Sequence, residues 1–260
     1  MNTIHNLPKE FEPYRDAIEK TVKPVIKITG VKDNTTLFES KIAGDPYLPK
    51  DIEHPLDEVG KPMRLLAQIN FAEVPHIVGF PEKGILQFFI SGADDVMGLN
   101  LDHPTQQKNF RVLFYTEIIL DPSQLVQDFS YVDKNDEYFP CEHEVKLSFE
   151  VESEPVSLVD YHVEHCGFYE VLDDNAELWD LYSETFGGEG AKIGGYAHFT
   201  QEDPRSYGDY KDYNTLLLQV DSNEDLGIMW GDVGVANFFI TEEDLRKKNF
   251  ANVLYNWDCF

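Results

Sequence analysis

Residues 145–151 alternate without a break. Val145, Leu147, Phe149 and Val151 fall on one side of the chain and Lys146, Ser148 and Glu150 on the other, the period-two pattern of a half-buried strand. The same reading predicts strands over 25–28, 64–69, 85–91, 111–119, 216–220, 235–240 and 252–255. Helices are few. One is predicted to start near Pro13, with Tyr14, Ile18 and Val22 on one face, and to stop before Pro24. Another fits 174–185, where Leu178, Trp179 and Tyr182 form an apolar stripe. Thr241 followed by Asp244 resembles a capping box and marks a short helix. Asp121-Pro122 marks a helical turn, with a cap followed by proline at the first helical position.

Several of these segments occur twice. Leu65-Leu66-Ala67-Gln68-Ile69-Asn70 returns as Leu216-Leu217-Leu218-Gln219-Val220-Asp221, and Lys41-Ile42-Ala43-Gly44 as Lys192-Ile193-Gly194-Gly195, both offset by 151 residues. Gly84 to Ile90 returns as Gly234 to Ile240, offset by 150, and Lys108-Asn109-Phe110 as Lys248-Asn249-Phe250, offset by 140. Four segments in one order imply an internal duplication. Two copies are too few for a solenoid, so the expectation is one domain over 1–260. Its pseudo-repeats lie at about 24–120 and 170–260, with an excursion over 121–169.

Strand geometry gives the repeated glutamine a place. Straight alternation groups Leu65, Ala67 and Ile69 on one face and Leu66, Gln68 and Asn70 on the other, with the same split over 216–221. Gln87 and Asn237 occupy matched places on the following strands. Two polar clusters are therefore expected, Gln68, Asn70 and Gln87 in one half and Gln219, Asp221 and Asn237 in the other. They are candidates either for ligand binding or for bonding loop backbone, since buried polar groups must be paired.

Lys-Ile-x-Gly, Leu-Leu-x-Gln-Ile/Val-Asn/Asp, Gly-Ile-Leu-Gln-Phe-Phe-Ile and Trp230-Gly231-Asp232-Val233-Gly234 together resemble the YwqG-like family, a bacterial domain of unknown function, over nearly the whole chain. The resemblance implies a mainly β, roll-like α+β fold built from two related halves. It brings no catalytic residues. The sequence departs from it at Ala43, which stands where the second copy has Gly194.

Charge changes the picture more than length does. Lys+Arg 21 against Asp+Glu 48 leaves −27, which repels phosphate backbones and anionic lipid and favours cations or a basic protein. Residues 121–190 hold 19 acidic residues against Lys134 and Lys146, and so carry −17 of that total. A basic partner is expected to dock there, through Glu142, Glu144, Glu152, Glu154, Asp173 and Asp174; neither nucleic acid nor membrane is expected. Cys141, Cys166 and Cys259 are too few and too scattered for a disulfide framework. The first sixteen residues lack a basic-then-apolar leader pattern, and no apolar run would span a bilayer, so the expected location is cytoplasmic.

Signatures of chemistry are weak. Asp221, Asn223, Asp225 and Asp232 stand at positions 1, 3, 5 and 12 of a calcium-loop register, but Leu226 occupies the position of the required glycine. His162, His165 and Cys166, with Cys141 and His143, match no zinc spacing. There is no G-x-S-x-G, P-loop or HExxH sequence. The expected function is a non-enzymatic interaction module, toxin-neutralising or regulatory and without a cofactor. The alternative is a small-molecule-binding or metal-dependent enzyme using the Asp221–Asp232 loop or the Gln/Asn clusters.

Overall fold

Short runs of β-branched and aromatic residues, closed by Gly, Pro or Asx turns, become ten strands among the described residues of the computed structural model. The structure describes Ile4, residues 7–207 and residues 209–260. In chain order the strands are β1 (Lys23–Lys32), β2 (Lys41–Ile42), β3 (Arg64–Asn70), β4 (Ile85–Ile90), β5 (Phe110–Tyr115), β6 (Val145–Glu154), β7 (Lys192–Gly194), β8 (Thr215–Asp221), β9 (Val235–Ile240) and β10 (Leu254–Asp258). They form one antiparallel sheet in the order β10-β9-β8-β7-β1-β6-β2-β3-β4-β5. Among the described residues there are four short α-helices: α1 (Arg15–Glu19), α2 (Tyr169–Asp173), α3 (Ala176–Phe186) and α4 (Glu242–Lys247). The fold is α+β and mainly β. None of these helices is long and apolar enough to cross a membrane.

The centre of the sheet is a crossing. β1 and β6 pair over ten residues, from Lys23 opposite Glu154 to Lys32 opposite Val145. On its other side β1 pairs with β7, and β6 pairs with β2. Each strand of the central pair therefore continues into the flank that follows the other one in sequence. Segment 121–169, read from the sequence as an excursion, supplies one of these two central strands.

The flanks β2–β5 and β7–β10 match position by position. Both contain a bulge at the same place, between Leu65 and Ala67 and between Leu216 and Leu218. Gln68 pairs with Lys41 and Gln87, as Gln219 does with Lys192 and Asn237. The bulge corrects the simple alternation, because an extra residue reverses the faces on one side of it. Leu65 and Leu216 pack on the outer face with Phe89 and Phe239, while Leu66, Ala67, Leu217 and Leu218 join the main core.

The Lys-Asn-Phe correspondence also changes. β5 and β10 are related by an offset of 143, since Tyr115 pairs with Ile85 and Asp258 with Val235. Phe110 therefore corresponds to Val253 and not to Phe250. Lys248 is instead the left-handed cap of α4 (φ 55°), and the first flank has no helix at the corresponding point.

The sheet curls so that the inner faces of the flanks meet. Phe88 and Phe238, at matched positions and fully buried, approach to 4.8 Å between ring centroids. Tyr255 stacks on Phe238 at 4.5 Å and meets Phe110 at 5.2 Å. Its hydroxyl donates to the Met97 carbonyl at 3.0 Å, tying the 96–107 loop of the first flank to the last strand of the second. Ala43 takes the same left-handed backbone as Gly194 (φ 58° and 73°), so the departure seen in the sequence changes the residue and not the turn. Alanine bears a cost there of about 1 kcal/mol that glycine avoids.

The helices begin and end where local chemistry requires. The predicted first helix divides at Tyr14 into a 3-10 turn over Lys9–Tyr14, which contains Pro13, and α1. α3 starts after Asn175, whose side chain accepts the Leu178 amide. Thr241 caps α4 by accepting the Asp244 amide, and Asp121 caps the turn Pro122–Gln124 through Ser123.

Candidate functional site

Four of the six side chains of the polar clusters lie inside the protein, and Asn70 and Asp221 are half-buried. Gln68, Gln87, Gln219 and Asn237 are fully buried. Gln68 Oε1 accepts the Tyr47 amide at 2.8 Å, and its Nε2 donates to the carbonyls of Leu37 and Glu39, both at 2.9 Å. Gln219 repeats the arrangement 151 residues on. Its Oε1 accepts the His198 amide at 2.8 Å, and its Nε2 donates to Gly188 at 3.0 Å and Gly190 at 2.7 Å. Gln87 Nε2 donates to the Tyr47 carbonyl, and Asn237 Nδ2 to the His198 carbonyl. Asn70 Nδ2 donates to Phe38, and Asp221 Oδ2 accepts the Gly190 amide. The six side chains fasten the loops over 36–47 and 187–198 to the sheet.

Each loop also covers a buried lysine. Lys41 and Lys192 are 1% and 0% exposed. Burial lowers both ammonium pKa values, and nearby carboxylates offset part of the effect. Lys41 Nζ donates to the carbonyls of Thr36 (2.6 Å) and Asp45 (3.0 Å), with Glu144 at 3.9 Å. Lys192 Nζ lies 2.8 Å from Glu154 Oε1, and Lys27 Nζ 2.8 Å from Glu154 Oε2. Burial pushes the Glu154 carboxyl upward, but the two lysines outweigh it and hold it below its ordinary value. The recurring Lys-Ile motif was the signal for these lysines, though alternation alone gives no reason to bury the ammonium.

Two residues expected on the partner surface are thereby tied into the structure: Glu154 bridges two lysines, and Glu144 accepts the Thr35 amide at 2.9 Å. Glu142, Glu152, Asp173 and Asp174 are exposed. Glu152 borders an open cleft of about 810 Å3, between 152–155 and 184–189, with Glu184, Glu189 and Phe186 on its far side.

The histidines and cysteines do not assemble. Asp160 holds His162 Nδ1 at 2.5 Å, and Cys166 Sγ donates to the His162 carbonyl at 3.4 Å. Cys141 is buried, which pushes its thiol up to about 12. His143 is exposed near Glu142. Among the described residues, no three His, Cys, Asp or Glu side chains converge as a metal site would require. Asp160 belongs to an ion network that the sequence did not reveal. Arg205, 1% exposed, reaches Asp160 at 2.8 Å and Asp203 at 2.7 Å while lying 4.0 Å from the centroid of Phe239.

The calcium-like register divides. Asn223 accepts the Leu226 amide and starts the 3-10 turn Glu224–Leu226, while Asp225 and Asp232 are exposed. Asp221, Asn223 and Asp225 line a cavity of about 320 Å3 whose floor is Ile28, Ile42 and Leu147. Asp232 lies outside it.

The profile of a known family matches residues 40–259. The chain belongs to that family, a domain of unknown function (DUF1963). The DUF1963 match takes in β2–β10 and leaves β1 outside, although β1 pairs with two of the matched strands. No curated protein matches the chain.

Two outcomes test the structural roles. Gln68→Leu and Gln219→Leu should each destabilise the fold by about 3 kcal/mol in urea titrations, because each leaves buried amides and carbonyls without partners. A cost below about 0.5 kcal/mol at either position would contradict the assignment. Glu154→Gln should cost about 3–5 kcal/mol by leaving the Lys192 ammonium buried beside a neutral amide, whereas Glu152→Gln should change stability by less than about 0.5 kcal/mol. Because the folded-state pKa of Glu154 is depressed, its contribution is complete above the ordinary value of 4.5 and lost as pH falls through the depressed one. The difference between Glu154→Gln and wild type should therefore shrink on acidification.

Proposed function

We propose that the protein is a non-catalytic binding module, of the YwqG-like kind and built by internal duplication, that docks a basic protein through its acidic face in a toxin-neutralising or regulatory role. One observation carries this reading: neither lysine within 121–190 neutralises a carboxylate of that stretch. Both lysines of 121–190 bond to carboxylates outside that stretch, Lys134 to Asp45 and Lys146 to Glu39. Glu152, Asp173, Asp174, Glu184 and Glu189 stand without an ion pair among the described residues. Removing Glu144 and Glu154 from the expected surface leaves Glu142, Glu152, Asp173 and Asp174 as its contributors. The interior use of Gln68, Gln87, Gln219 and Asn237 favours a binding module over an enzyme working through those four side chains.

Clustered unpaired charge raises association rates and is screened by salt. The triple variant Glu152→Lys, Asp173→Lys, Asp174→Lys should keep the wild-type melting temperature, since exposed charges contribute little to stability. Wild type should capture a basic protein from native lysate that the triple variant does not, and its association rate should fall steeply above about 0.15 M salt. If no basic protein is enriched by wild type over the variant, the proposal fails.

A further inference from the structure

The cavity above the sheet centre suits a ligand of a different size and chemistry. Its floor joins three of the four central strands through Ile28 of β1, Ile42 of β2 and Leu147 of β6, and Leu226 and Ile228 close one side. Its rim carries Asp221, Asn223 and Asp225, and among the described residues no lysine or arginine lines it. The Gly190 amide, 2.7 Å from Asp221 Oδ2, fixes the orientation of that carboxylate. Asn223 is fixed in turn by the Leu226 amide at 3.1 Å. The volume, about 320 Å3, falls at the lower end of the range for small-molecule sites, roughly 300–1,000 Å3.

These walls exclude most ligand classes. The two carboxylates disfavour anions. The aliphatic floor offers nothing to a hydrated inorganic cation, and the rim does not supply three converging metal-ligating side chains. A ligand that satisfies both surfaces has an aliphatic body and a cationic head. We propose that this cavity binds a short aliphatic amine, with its chain on Ile28, Ile42 and Leu147 and its ammonium between Asp221 and Asp225. The site uses other residues than the acidic face of Glu152, Asp173 and Asp174, so it stands whether or not that face docks a basic protein.

Calorimetric titration of the full chain with methylammonium, n-propylammonium and n-pentylammonium tests the proposal. Affinity should rise about fourfold per methylene, the increment for burying one such group. Asp225→Lys, at an exposed position, should weaken n-pentylammonium binding by about tenfold or more. Asp232→Lys makes the same charge change nearby but outside the cavity, and should weaken binding by less than about twofold because salt screens the exposed charge. The melting temperatures of both variants show whether the fold is intact. The proposal is overturned if n-pentylammonium shows no saturable binding, if affinity does not depend on chain length, or if Asp232→Lys weakens binding as much as Asp225→Lys. The chain-length series uses wild-type protein alone, and so decides the matter even if a variant fails to fold.

Discussion

The pairing of β1 with β6 is the constraint on which the rest of the structure depends. Each of these strands is bonded on its far side to the flank that follows the other in sequence, so neither flank can close its sheet from its own segment of chain. The Ile28 amide donates to the Ala191 carbonyl and the Leu147 amide to the Ser40 carbonyl, one crossing bond in each direction. Meeting of the inner faces at Phe88 and Phe238 follows from this geometry, because the flanks curl from a shared centre.

The buried polar side chains serve the same architecture. β2 and β7 are only two and three residues long, too short to hold their loops by ladder bonds alone. Gln68 and Gln219 supply the missing bonds by taking one amide and two carbonyls each from the loops beside those strands. Paired amides in a site of low dielectric are stronger than in water and costly to leave unmatched. That gives a physical reason for glutamine to recur at both places in the chain. The lysines beside them follow the same logic with different partners, backbone carbonyls for Lys41 and a shared carboxylate for Lys192.

Much of this architecture was legible in the sequence, and the limits have definite causes. The alternation of 145–151 declares itself as a strand, and so do 85–90 and 235–240, each apolar at every position but one. β2 and β7 do not, because two or three residues carry no period; only the repeated Lys-Ile marked them. The bulges at 65–67 and 216–218 were hidden, since a run of leucines reads equally well in either register. Lys-Asn-Phe misled because similar letters serve as a strand entry at 108–110 and a helix cap at 248–250. Arg205 meets Asp203 within its own turn, but Asp160 comes from a turn 45 residues away, and nothing in the spacing brings that pair together. The acidic stretch was visible as a total charge, but only the fold separates Glu144 and Glu154, tied to buried lysines, from Glu152, Asp173 and Asp174.

Native-state hydrogen exchange at rising denaturant tests the crossing most directly. If the two flanks are locked through β1 and β6, the amides of Ile28, Leu147, β4 and β9 exchange only by global unfolding, and their opening free energies converge on one value with a shared denaturant dependence. Exchange of β2–β5 through an opening of clearly lower free energy while β7–β10 stay protected, or the reverse, would contradict the account.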